Sequence, residues 1–205
     1  FKLLLVVAAG ALAFLCYESI VTPIEFNEER DAREKVIVER LIDIRRAETE
    51  YRNIKGDYTA SFDTLINFIK NDKAKIVLKE GELTDKQLEE GMTEKKAVKL
   101  GLIKRDTTYV SMLENLFGAD YPVDSLRYIP FSSPRQEFTL EKSEITTGSA
   151  GIKVKVMAAK APYVSYLNDL DKQELINLVE TTEKLEKYPG LKFGDIEQAN
   201  NNAGN

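Results

Sequence analysis

The polar and apolar positions divide this chain into one long organising stretch and a mixed remainder. From Leu3 to Tyr17 no residue is charged, and Ile20, Val21 and Ile24 extend the apolar character past the single acid Glu18. From Glu25 the pattern changes without a break. Ile37, Leu41, Ile44, Glu48, Tyr51 and Ile54 recur at steps of three and four, with Val38, Ala47 and Tyr58 close by, while Glu, Arg and Lys fill the other positions. That spacing predicts one face of an amphipathic helix, stopped at Gly56. Pro23, which lacks an N–H and crowds the preceding turn, is a candidate kink.

After Gly56 the elements are shorter. Ser61 caps a predicted helix to Lys70, with Phe62, Leu65, Ile66 and Ile69 facing inward. Ala74–Lys79 reads as a strand. Thr84 and Gln87 form a capping box for a short helical region through Leu88, Met92 and Val98, and Leu102–Leu113 alternates weakly. Asp120-Tyr121-Pro122 is a turn. Leu126–Phe131 reads as a short strand edged by Pro130, and Phe138, Leu140 and Ile145 as one arm of a hairpin turning at Thr147-Gly148-Ser149. Ile152, Val154, Val156 and Ala158 alternate with Lys153 and Lys155, the clearest strand pattern in the chain. Asp171 caps a helix with the stripe Leu175, Leu178, Val179 and Leu185; Leu191–Phe193 adds a short strand.

The sum is an α+β fold: a long helix, apolar in its first half and amphipathic in its second, against a small antiparallel sheet of about four strands with additional short helices. The expected divisions are an apolar helix over 1–24, its amphipathic continuation over 25–56, a globular head over 57–195 and a polar, Asn-rich tail over 196–205.

Composition narrows the chemistry. There is no His, which removes the commonest general base and His-containing zinc sites. The single Cys, Cys16, allows no intrachain disulfide and reads as a small hydrophobe. A net charge of -5 and a pI near 5.1 argue against nucleic acid as a partner. No phosphate loop, CxxC or HExxH is present. Asp169, Asp171 and Glu174 lack the glycine and spacing of a calcium loop and read as a helix start. The expectation is therefore no enzyme, no catalytic residue, no metal and no cofactor.

Three readings of the apolar end compete: a cleavable signal peptide, a lipoprotein signal with Cys16 as the lipid-bearing residue, and a retained helix. Leu15 is a poor cleavage context before Cys16, and continuity with the amphipathic helix favours retention. Lys2 orients this end toward the cytoplasm. The stretch from Phe1 to Ile24 is long enough to span a bilayer. Ala8, Ala9, Gly10, Ala11 and Ala13 make part of it thin enough for close helix approach.

Taken in order, Phe1, the apolar run, Pro23, the amphipathic helix, Glu50-Tyr51, Gly56-Asp57-Tyr58 and Ser61-Phe62-Asp63-Thr64-Leu65 resemble the amino half of type IV pilins and type II secretion pseudopilins over roughly residues 1–70. The resemblance implies a mature end at Phe1, a helix whose apolar half bundles in a filament core, and a β-sheet head on its second half. It implies a helical homopolymer with itself as partner, an inner-membrane location before assembly, and a cell-surface filament afterwards, with the adhesion roles of fimbriae. The subunit-contact residues would be Phe1, Leu3, Leu4, Leu5, Val6, Val7, Leu12, Phe14 and Leu15. The pattern departs from the family at Leu5, where a glutamate usually pairs with a neighbour's free amine, at Lys2, in the position of Pro23, and in the absence of a C-terminal cysteine pair. The rival reading is a single-pass, membrane-anchored accessory subunit of a bacterial envelope complex.

Overall fold

The structure, a computed structural model, describes residues 2–80, 91–101, 104–147 and 151–198. Along the chain its elements are α1 (Lys2–Lys55), α2 (Phe62–Asn71), β1 (Lys73–Glu80), α3 (Glu94–Lys99), β2 (Lys104–Ser111), α4 (Met112–Leu116), a 3-10 turn (Val123–Ser125), β3 (Thr139–Thr147), β4 (Ile152–Pro162), α5 (Tyr163–Tyr166), α6 (Lys172–Lys184) and β5 (Gly190–Gly194). The chain forms two compact units, Phe1–Leu65 with Asp124–Asn205, and Ile66–Val123.

The first unit is built on α1. Its sheet is antiparallel throughout, in the order β3-β4-β5, with β4 central, and α1 packs against β5. Phe26, Ile37, Leu41, Ile44 and Ala47 bury one line of α1, and Leu126, Ile129, Phe138, Leu140, Val156 and Phe193 belong to the same unit's core. An amphipathic helix holds its place by that covered stripe rather than by intrinsic propensity. This is the α+β arrangement expected: a long helix packed on a small antiparallel sheet, with several short helices.

The second unit holds the end of α2, the antiparallel pair β1-β2, α3 and α4. Its apolar interior includes Phe68, Ile69, Ala74, Ala97 and Met112. Phe117 and Tyr121 stack with ring centroids 4.4 Å apart.

Several expectations need correction. The strands form two separate sheets, because β1 pairs with β2 from Lys73↔Ser111 to Glu80↔Lys104 and takes no part in the β3-β4-β5 sheet. Leu126–Phe131 is not a strand. Its ladder is a lone bridge, Tyr128↔Glu137, and Pro130 has no N–H to extend it. Thr93 caps α3, its side chain accepting from the Lys96 N–H; the expected capping box of Thr84 and Gln87 lies outside the described residues. Val38 does not join the buried stripe: it is 41% exposed, turned about 100° around α1 from Ile37.

Other local readings hold. Asp171 Oδ1 accepts from the Glu174 N–H at 2.9 Å and caps α6. Strand β4 runs on to Pro162, and four successive residues, Val156 to Ala159, are buried, so both faces are covered there. The hairpin turn at Gly148-Ser149 lies outside the described residues, but the register Thr147↔Ile152 closes around it. Helix α1 continues through Pro23, and Asn27 Nδ2 donates to the Pro23 carbonyl at 2.6 Å.

Candidate membrane and subunit-contact surface

Residues 2–24 of α1 are helical, and nearly every apolar side chain described there is exposed. Leu3 is 80% exposed and Val6 70%, with Leu5, Val7, Leu12, Phe14 and Leu15 each more than half exposed. Leu4 belongs to α1, and Phe1 lies outside the described residues. Exposure all round the helix, rather than on one side, separates this segment from an amphipathic one. It is long and apolar enough to cross a membrane, and its apolar window is not buried in the protein's own fold. Tyr17, Ile20 and Ile24 carry the exposed apolar surface further. Cys16 is an exposed free thiol on this surface.

Where α1 enters the core, charge takes over as its fastening. Arg33 is 8% exposed. Its guanidinium donates to both carboxylate oxygens of Asp169, at 2.6 and 2.8 Å, to the Tyr166 carbonyl at 2.7 Å and to Glu29 at 2.8 Å. It also lies 5.4 Å from the centroid of the Phe131 ring. The bond to Asp169 raises the Arg33 pKa, and the same bond holds the Asp169 carboxyl below its usual range. Two turns on, Arg40 donates to the Ser125 carbonyl at 2.7 Å and to its hydroxyl at 2.9 Å. A cleft of about 210 Å³ opens beside it, lined also by Tyr128, Phe131, Ser132 and Arg135.

The far end of α1 is clamped to the sheet. Gly56 takes φ +81, a left-handed value that ends the helix at little steric cost. Lys155 Nζ donates to the Gly56 carbonyl at 2.7 Å, and Lys142 Nζ pairs with Asp57 at 3.0 Å. Tyr58 is buried, and Arg52 donates to its hydroxyl at 3.0 Å. Beneath this turn lies Glu48, fully buried. Its Oε2 accepts from the Thr59 N–H at 3.0 Å, while Oε1 has no partner among the described residues. Burial pushes the Glu48 carboxyl up to about 7, against the opposing pull of Thr59 and Lys142.

Asp169 and Asp171, considered as metal ligands, are instead the partner of Arg33 and the cap of α6. Among the described residues no group of three or more acidic or Cys side chains is placed to hold a metal ion. The fastening residues Arg33, Arg40 and Lys142 escaped sequence reasoning because their partners lie 133, 85 and 85 residues away.

The fold and surface together define a class: an α+β protein whose leading helix, of membrane-spanning length and composition, continues into a small antiparallel-sheet head. No family model matches the chain, and no curated protein or solved structure is similar to it.

Proposed function

We propose that this chain is the structural subunit of a pilus-like filament, assembled through its apolar helix and held in a bacterial inner membrane before assembly. The supporting observation is the exposure around residues 3–24. Large apolar side chains gain roughly 1.5–3 kcal/mol each on leaving water, so a helix exposing Leu3, Leu5, Val6, Val7, Leu12, Phe14 and Leu15 together requires cover. Lipid provides it before assembly and sister helices afterwards. The same proposal assigns no catalysis and no cofactor: the head supplies bulk and surface, and the helix supplies the contact.

The resemblance to pilins and pseudopilins adds the order of parts, including the turn Gly56-Asp57-Tyr58 fastened on the sheet. A second reading, a single-pass anchored accessory subunit, is favoured by Leu5 and Lys2. With them the apolar run lacks the acid that would pair with a neighbour's amine and carries an extra cation.

The two readings separate in electron micrographs of the purified full chain after detergent removal. The filament reading expects regular fibres, and expects Leu5→Asp or Val7→Asp to abolish them while the head keeps its fold by circular dichroism. Particles that are monodisperse in detergent and form no fibres once it is removed would favour the anchor.

A further inference from the structure

The loop from Tyr128 to Arg135 is built more firmly than a connection between elements requires. Its neck is closed by the Tyr128↔Glu137 bridge, by the Ile129 N–H donating to the Gln136 carbonyl at 2.9 Å, and by the Phe138 N–H donating to the Arg127 carbonyl at 2.9 Å. Ser132 Oγ donates to the Ile129 carbonyl at 2.7 Å and accepts from the Gln136 N–H at 3.0 Å. Ile129 is buried and anchors the loop in the core. Within this frame Phe131 takes φ +63, a left-handed value that a bulky residue rarely adopts. Its ring is 49% exposed. A braced loop that holds one residue in strain, and leaves a large apolar ring half bare, has the marks of a ligand contact.

Beside that ring opens the cleft of about 210 Å³. Two arginines and no acid line it, in a chain whose net charge is -5. Arg40 is steadied by Ser125 through Nη1 alone, and the rest of its fork has no acceptor among the described residues. Arg135 lies over the Tyr128 ring, 4.5 Å from its centroid, and forms no ion pair among the described residues. Arg33, on the Phe131 ring, is already committed to Asp169, Glu29 and the Tyr166 carbonyl, so it holds the ring and not a ligand. We infer that this cleft binds a small organic acid, a carboxylate carried on a single ring. A guanidinium fork matches a planar carboxylate with two parallel hydrogen bonds. Phe131 and Pro130 give the ring of the acid an apolar wall; a bare inorganic anion would leave that wall unused. Volume sets the size: drug-sized ligands occupy roughly 300–1,000 Å³, so this cleft takes one ring and excludes a nucleotide. The site lies wholly within the first unit and is independent of what covers the leading helix.

The test is isothermal titration of the full chain, in a non-ionic detergent, with two acids and their uncharged counterparts: glucuronate beside glucose, and benzoate beside benzamide. One acid or both should bind at least about tenfold tighter than the counterpart and than acetate, because the fork needs the charge and the wall needs the ring. The two arms separate a sugar acid from an aromatic acid as the source of the carboxylate. Arg135→Gln should weaken the tighter acid about tenfold, whereas Lys184→Gln, at an exposed position of α6, should leave it within about twofold. Phe131→Gly accepts the left-handed backbone but removes the wall, and should bring that acid to within about threefold of acetate. Acids that bind no tighter than glucose and benzamide would overturn the site, as would inorganic phosphate binding as tightly as the better acid. So would equal losses from Arg135→Gln and Lys184→Gln, or no loss from Arg135→Gln. An advantage over acetate that survives Phe131→Gly would overturn the assignment of a ring.

Discussion

The two halves of α1 show how one continuous helix can serve two environments. From Leu3 to Ile24 apolar side chains point in every direction and the protein's own fold leaves most of them bare; from Phe26 to Ala47 most form one covered line, with Val36, Val38 and Ile42 outside it. Backbone geometry is the same in both. What differs is the angular distribution of apolar residues, and with it the source of cover: within the chain for the second half, outside it for the first. Substitution should therefore have opposite consequences in the two halves. Ile44→Ala removes fully buried volume and should cost ~2–5 kcal/mol of head stability. Leu12→Ala should leave the thermal midpoint of the detergent-solubilised head unchanged, yet weaken whatever covers the first half. A thermal melt of both variants checks this. Equal destabilisation by the two would mean that the first half also folds against its own head.

Much of this division was legible in the pattern of residues. The uncharged run and the three-four spacing of Ile37, Leu41 and Ile44 place the boundary near Pro23 without any tertiary information, and the alternation of Ile152 to Ala158 marks the central strand. Illegible were contacts that close over long sequence distances. Nothing near Arg33 indicates that α5 and the turn after it supply the Tyr166 carbonyl and Asp169. Nor does Ala74–Lys79 reveal a pairing with β2, which separates it from the other sheet. Val38 was misplaced for a different reason: it stands beside Ile37 in sequence and one turn before Leu41, and only the position of the core shows that it faces away. Of the contact surface, the apolar run was legible in full, whereas exposed Val38 and Ile42 needed the burial of their neighbours to be distinguished from core.

Glu48 carries the comparison to a position where the covered stripe is polar. Its carboxyl is raised from an ordinary 4.5 to about 7, first by burial, with Asp57 adding repulsion and Lys142 and the Thr59 N–H opposing. The folded chain thus keeps a proton that the unfolded chain has released. The stabilising contribution is complete below about pH 4.5 and is lost as pH rises toward about 7, by an amount on the order of 3 kcal/mol. Glu48→Gln keeps an acceptor for the Thr59 N–H but cannot ionise, so its stability should vary less between pH 5 and pH 8. Denaturant midpoints across that range decide it; parallel curves for the two proteins would show that Glu48 does not titrate in the window.

The smallest expected effect lies at the surface end of the same clamp. Asp57 is half exposed, and the Lys142 ammonium holds its carboxyl below the usual range, with Lys155 contributing from 3.7 Å. The sign is opposite to that of Glu48: the contribution is present above the unfolded pKa and is lost as acid protonates the folded carboxylate. Water screens both partners, so Asp57→Ala should cost only about 0.5 kcal/mol, and less in high salt. The Gly56 carbonyl keeps its bond from Lys155 in that variant, which leaves the turn itself in place. A loss above about 2 kcal/mol, or one indifferent to salt, would mean that Asp57 is structurally coupled to buried Glu48 beneath it. The charged turn and the covered stripe would then have to be treated as a single polar network rather than as a surface pair lying over a core acid.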